Sequence, residues 1–286
     1  MAGVVTRHLD SAASFEVTFW RSAFNAVALS VALTMIRGPG LWRRILNSPR
    51  VIWVSGFCWS VMFSAFMIAI TLTTVANVLI IMAIGPLISA LFARLFLHHK
   101  LPLITWLAIA FAGLGIVWMF LDKSDASLSL IGSVVALAVP LAAAVNFTVM
   151  QHVGLNKEVV VSKDKPAQDM LLAVLIGAVL SALATLPLSL PFQATVHDLS
   201  LLSLLGVFQL AIPCLLVVRL SRELPAPEIL LLAQLEVIFG VTWAWLWAGE
   251  QLSVNTLTGG VLVLGALVVN ALTGIFRQQR SQKLTA

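Results

Sequence analysis

The side chains able to do chemistry in this 286-residue sequence are few, and most are isolated within apolar stretches. Glu236 lies at the middle of the stretch 225 to 247. An ionised carboxylate at bilayer depth costs about 3 kcal/mol even on lenient insertion scales, so such a group faces a cavity or a partner. Two readings are open for it: a proton-responsive or amine-binding group, or a protonated carboxyl bonded to a neighbouring helix. Arg21 lies about one and a half turns into its stretch, five residues after Glu16. Its guanidinium fork suits a substrate carboxylate, but a long Arg at that depth can also snorkel to the interface or form a structural pair. Asn25, Asn77, Asn146, Gln209 and Gln234 could line a pocket or bridge helices. Trp59, Phe63 and Trp243 are candidate aromatic walls, whereas Trp53, Trp106 and Trp247 fall at stretch ends where an interfacial belt belongs.

Backbone chemistry is the second resource. Pro86, after Gly85, stands mid-stretch and leaves the Met82 carbonyl without its helical partner, which bends a helix and can bare a polar group. Pro140 and Pro213 do likewise. Other chemistry is lacking. His98-His99-Lys100 has no third ligand, so no metal site and no cofactor are expected. Cys58 and Cys214 sit in apolar runs of different halves and read as small buried residues. An intramembrane transferase needs clustered acidic or His and Arg phosphate ligands at one membrane face; Asp122 and Asp125 stand only with Lys123.

The elements that must position these groups follow from composition. Sixty per cent of residues are hydrophobic, 10% are charged, and mean hydropathy is +1.03, against about 25% charged in soluble domains. Apolar runs of about 20 residues match the hydrocarbon core at 1.5 Å per helical residue. No ten-residue alternating segments appear, which excludes an outer-membrane barrel. The reading is all-α and polytopic, with nine spans near 16–35, 51–72, 75–97, 102–121, 128–150, 170–190, 199–218, 225–247 and 254–275. No cleavable signal peptide is visible.

The net charge of +5 does not point to nucleic acid, because the cations sit between spans. Alternate loops, from Arg37–Arg50 to the tail with Arg277, Arg280 and Lys283, hold 14 of the 17 Lys and Arg, while the opposite loops hold only Arg7 and Lys123. By the positive-inside rule the C-terminus is cytoplasmic, and nine spans then put the N-terminus outside.

An offset of 151 residues carries Phe96–Val117 onto Trp247–Val268 and Thr74 onto Pro225. The repeats expected are residues 1–122 with four spans and 128–275 with five, inverted relative to each other, followed by a cytoplasmic tail at 276–286. Gly85 falls opposite Glu236 under this offset. Gly113, Gly115, Gly259 and Gly260 read as close helix contacts.

Several stretches then resemble the EamA-type group of the drug/metabolite transporter superfamily. They are EVTFWRSAFNAVALS around Arg21, TLTTVANVLIIMAIGPLISALFARLFLHHKL around Pro86, GVFQLAIPCLLVVRLSRELPAPEILLLAQLEVIFG, and WAWLWAGEQLSVNTLTGGVLVLGALVVNAL. The resemblance implies a ten-span fold of two inverted five-span repeats, here lacking the family's first helix; because the second half has one span more than the first, an upstream start to the reading frame is expected. His98-His99 stands where the family often has Gly-Glu, and Gly249-Glu250 keeps that pair. The implied activity is carrier-type movement of a small, amino-acid-like metabolite across the inner membrane through a pocket between the repeats. The residues expected to serve it are Glu236, Arg21, Asn25, Trp59, Asn146, Gln209 and Trp243, with a helix break at Gly85-Pro86. The expected partners are a small-molecule substrate and the lipid bilayer; oligomerisation stays open. A flippase for a lipid-linked substrate is the alternative carrier reading, and an intramembrane transferase the alternative class.

Overall fold

Hydrocarbon offers the backbone no hydrogen bonds, so long apolar segments close their peptide groups internally as helices. The computed structural model describes residues 2–6, 8–38, 40–96, 102–119, 130–155, 170–214, 216, 239–247 and 254–285, and all regular elements among them are helical. They are α1 (Ala2–Thr6), α2 (Ser14–Arg37), α3 (Leu41–Leu46), α4 (Arg50–Leu72), α5 (Val75–Ala83), α6 (Gly85–Phe96), α7 (Leu103–Met119), α8 (Leu130–Leu155), α9 (Met170–Thr185), α10 (Val196–Leu204), α11 (239–247) and α12 (Val254–Thr285). Among the described residues, six helices are long and apolar enough to cross a membrane, and α7 and α8 add shorter apolar stretches, Leu103–Trp118 and Leu130–Asn146.

Three features stand out against the expected spans. The stretch at 75–97 is two helices meeting at Ile84: Pro86 has no N–H for the Met82 carbonyl and its ring crowds that turn, and there Ile84 N–H bonds three residues back to Ile81 while the next helix restarts with Leu87 and Ile88 N–H on the Ile84 carbonyl. The loop expected between Arg37 and Arg50 contains α3, whose Leu41 and Ile45 are buried. The segment expected as a tail continues α12 to Thr285, since Arg, Gln, Lys and Leu are good helix formers once out of the membrane.

Side-chain pairs fix the helix directions. Gly56 meets Ile176 and Ser64 meets Ser181, so α4 and α9 run parallel. Asn77 reaches Ser133 and Gly85 approaches Pro140, so the broken α5–α6 unit runs parallel to α8. Ser22 meets Ser181 while Glu16 meets Gln193, so α2 opposes α9. Each relation is the one that alternating crossings demand.

Small residues let these helices approach. A Cβ on Gly177 would stand 2.4 Å from the Trp59 Cβ and 3.0 Å from the Gly56 oxygen, and one on Gly115 would stand 2.8 Å from the Gly259 oxygen. Gly113, expected to be a contact, faces open space instead. The Ser22, Ser181 and Ser64 hydroxyls join α2, α9 and α4 in a chain of 2.9 and 2.8 Å bonds. Such bonds hold membrane helices together where the hydrophobic effect cannot.

Candidate substrate cavity

A cavity of about 220 Å³ opens where the two halves of the chain meet. Phe66 on α4 with Val75 and Leu79 on α5 form one side, Gln209 with Phe239, Gly240 and Trp243 of α11 form the other, and Ala2, Gly3 and Val4 of α1 complete it.

Gln209 reaches the cavity through a local change of helix type. After α10 the chain makes a π-helical segment, Leu205–Ala211, before Pro213. Ile212 N–H bonds to Val207 O, five residues back. Such wide turns recur at functional sites. Gly206 within it packs on α2, where a Cβ would lie 2.7 Å from the Arg21 oxygen and 3.0 Å from the Asn25 nitrogen. The Gln209 side-chain oxygen is buried with no hydrogen-bond partner among the described residues.

Arg21 is 2% exposed, so its guanidinium stays within the bundle instead of snorkelling to the surface. It lies over the Phe66 ring, 5.4 Å from the centroid, in cation–π range. Asn25, one turn further along α2, is 0% exposed and neither amide atom finds a partner among the described residues. Gln209 and Trp243 thus line the cavity, Arg21 stands behind one of its walls, and Asn25 lies beside the π-helical segment.

Other expected site residues lie elsewhere. Trp59 packs with Phe63 at 5.4 Å in the α4–α9 contact. Asn146 is buried on α8, its amide oxygen without a partner among the described residues. Asn77 bridges, donating to Thr73 at 3.1 Å and to Ser133 at 2.7 Å. Gly85 and Pro86 sit at the break near Pro140, away from the cavity wall. Glu236, Gln234 and His98–Lys100 lie outside the described residues. Trp53, Trp106 and Trp247 are exposed, as a lipid-headgroup belt requires.

Sequence reasoning missed Phe66, Leu79 and Phe239 as lining residues, because an apolar wall looks like any other apolar helix face. It also missed two buried carboxylates at one end of the bundle. Glu16 accepts the Gln193 and Ala194 N–H groups at 3.0 and 2.9 Å and the Trp20 indole N–H at 3.3 Å. Asp198 accepts the N–H groups of Asp10, Ser11 and Thr195, while Thr195 Oγ1 accepts the Asp198 N–H in return. That reciprocal pair is a capping box, and Thr-x-x-Asp before an apolar run was its signal. Asp10, His197 and Asp198 bring potential metal-ligand atoms within 4.8 Å of one another. The Asp198 oxygens are already engaged by these N–H donors, so the cluster is a structural tie.

Residues 1–121 and 130–272 match the EamA-like transporter family. The chain belongs to that family. It is accordingly a multi-pass membrane transporter with the family's helical repeat fold. The pseudopaline exporter CntI of Pseudomonas aeruginosa strain UCBPP-PA14 is 23% identical over 253 residues, which cover 88% of this chain and 84% of the exporter. The same exporter from strain PAO1 matches over the same length at the same identity. A solved structure described only as "Crystal structure of protein" superposes with a TM-score of 0.62 at 16% identity, covering 94% of this chain and 91% of that one, which supports the shared fold.

Proposed function

We propose that this EamA-like protein is an inner-membrane carrier that moves a small organic solute by exposing the cavity alternately to the two sides. The observation that carries this reading is a cavity walled by both halves of the chain and lined by Gln209, whose buried amide oxygen has no hydrogen-bond partner among the described residues. A buried acceptor without a donor is costly, and a solute N–H or O–H relieves that cost. Phe66 on one side and Phe239 and Trp243 on the other favour an apolar body on the same solute. At about 220 Å³ the space is smaller than the roughly 300–1,000 Å³ of pockets for drug-sized ligands, which suits a small metabolite.

Arg21 and Asn25 complete the polar end in this reading, Trp59 and Asn146 support the helices around it, and Glu236 couples protonation to the cycle. Export is the direction suggested by the exporter relatives, and the charge distribution of the loops supports a cytoplasmic C-terminus. The flippase alternative calls for a lateral apolar opening. An apolar groove of about 410 Å³ does lie between α7 and α12, but it shares no lining residue with the cavity.

The test is a ligand screen by thermal shift on purified protein, followed by uptake of each hit into proteoliposomes. Solutes that stabilise the wild type and not Gln209→Leu are the expected cargo. Transport of such solutes at equal rates by both proteins overturns the assignment of the cavity.

A further inference from the structure

The chain that leaves the cavity wall is tied down repeatedly before it enters α2. His8 Nδ1 lies 2.8 Å from the Val4 carbonyl, so the end of α1 is bound to its own exit. Asp10 and Ser11 N–H then bond to Asp198 at 2.8 and 3.3 Å, and the Ser11 hydroxyl donates to the Gln193 carbonyl at 2.6 Å. Glu16, 1% exposed, holds the Gln193 and Ala194 N–H groups from the other side. Between them Phe192 lies on Phe19 and Trp20, with ring centroids 5.3 and 5.1 Å away.

These bonds cross between the two halves that wall the cavity, joining residues 10–16 of one to 193–198 of the other. Their chemistry suits repeated making and breaking. Glu16 and Asp198 stand in the first turns of α2 and α10, and the donors they hold are mostly peptide N–H groups outside the helices, which water satisfies once released. Opening the contact therefore unfolds no helix.

We propose that residues 189–198, clasped to residues 10–16 by Glu16 and Asp198, are a latch that shuts the cavity on this face, and that its release is the step exposing the cavity there. The purpose of the latch rests on the carrier reading, but its test reads access and not transport. In a Cys58→Ala, Cys214→Ala background, Leu79→Cys on the cavity wall is labelled by a maleimide in nanodiscs. Glu16→Ala should speed labelling at position 79 by at least about tenfold, since it removes both the Gln193 and the Ala194 hydrogen bond from the closed state. In a separate protein Asp10→Cys and His197→Cys, whose native side chains approach to 3.2 Å, are cross-linked first. That lock should slow labelling at position 79, and reductant should restore it. Labelling rates unchanged by the lock overturn the latch, whether or not Glu16→Ala folds. If the lock and its reversal work while no solute is ever moved, the latch stands and the carrier reading fails.

Discussion

Thr105 on α7 donates its hydroxyl hydrogen to the Asn270 amide oxygen on α12 at 2.8 Å, 165 residues later in the chain. At the other end of the same pair, Trp118 Nε1–H donates to Thr258 at 3.0 Å. These two bonds make α7 and α12 antiparallel. The 151-residue offset carries Leu103 onto Val254, so the helices that pair are the ones the internal repeat equates. The same register brings Ala112 opposite its own counterpart, Val263, and both are buried. An inverted repeat predicts such self-pairing about a local two-fold axis.

The close approach at that axis gives a stability prediction. Gly115→Val meets the Gly259 carbonyl and the Val263 side chain and should cost about 1–3 kcal/mol, the usual range for overpacking. Gly113→Ala meets nothing within 4 Å and should be neutral or slightly stabilising. Thermal denaturation in detergent distinguishes the two.

Asn25 should exchange stability against activity. Its amide is fully buried without a partner among the described residues, so Asn25→Leu removes an unsatisfied group while keeping the branched four-atom shape of the side chain. Unfolding should become harder by about 1–3 kcal/mol, while transport falls. A destabilised Leu variant refutes this reading of the site.

Gln209→Leu, which also removes a buried acceptor without a partner among the described residues, should melt at or above wild type, and both it and Trp243→Ala should lower the initial transport rate by about tenfold, the size of one lost hydrogen bond or aromatic contact. Trp59→Phe, in the α4–α9 contact, should change stability more than rate. Parallel melting and uptake measurements on all three variants check the contrast.

Glu236→Gln should abolish the pH dependence of transport between about pH 5 and 8, or the transport itself. On the proposed reading Glu236 exchanges a proton during the cycle, and protonation then biases one conformation over the other. Normal insertion with an unchanged pH profile makes Glu236 structural.

Single cysteines at His197 and Arg43 should react oppositely with an impermeant thiol reagent on intact cells, the first labelled and the second protected. Glu16, near the start of α2, is bonded to residues 193–194, and Arg43 follows the far end of that helix. Labelling of position 43 inverts the orientation.

The helices, their directions and the break at Gly85-Pro86 could be read from the residues because apolar length, proline and loop charge act locally along the chain. Gln209 and Trp243 could be picked out as polar or aromatic residues within apolar runs. Their meeting could not, since it depends on a helix register that residue types do not announce. Asn77 and Trp59 look like pocket residues by type but belong to helix contacts. Glu16 sits beside apolar residues in the sequence, and its donors come from peptides nearly 180 positions away, a relation no local pattern encodes.

The wide turn at Leu205–Ala211 has a consequence for comparing relatives. A π-helical segment is an α-helix holding one surplus residue. Deleting a single residue between the Thr195 cap and Gln209 lets the hydrogen-bond ladder close at its ordinary spacing and swings Gln209 by about 100° around the helix axis. Two relatives can therefore share the glutamine yet present different groups to the cavity if one lacks that extra position. What the cavity displays is set by chain length as well as by residue identity, and a one-residue gap carries more meaning here than a conservative substitution.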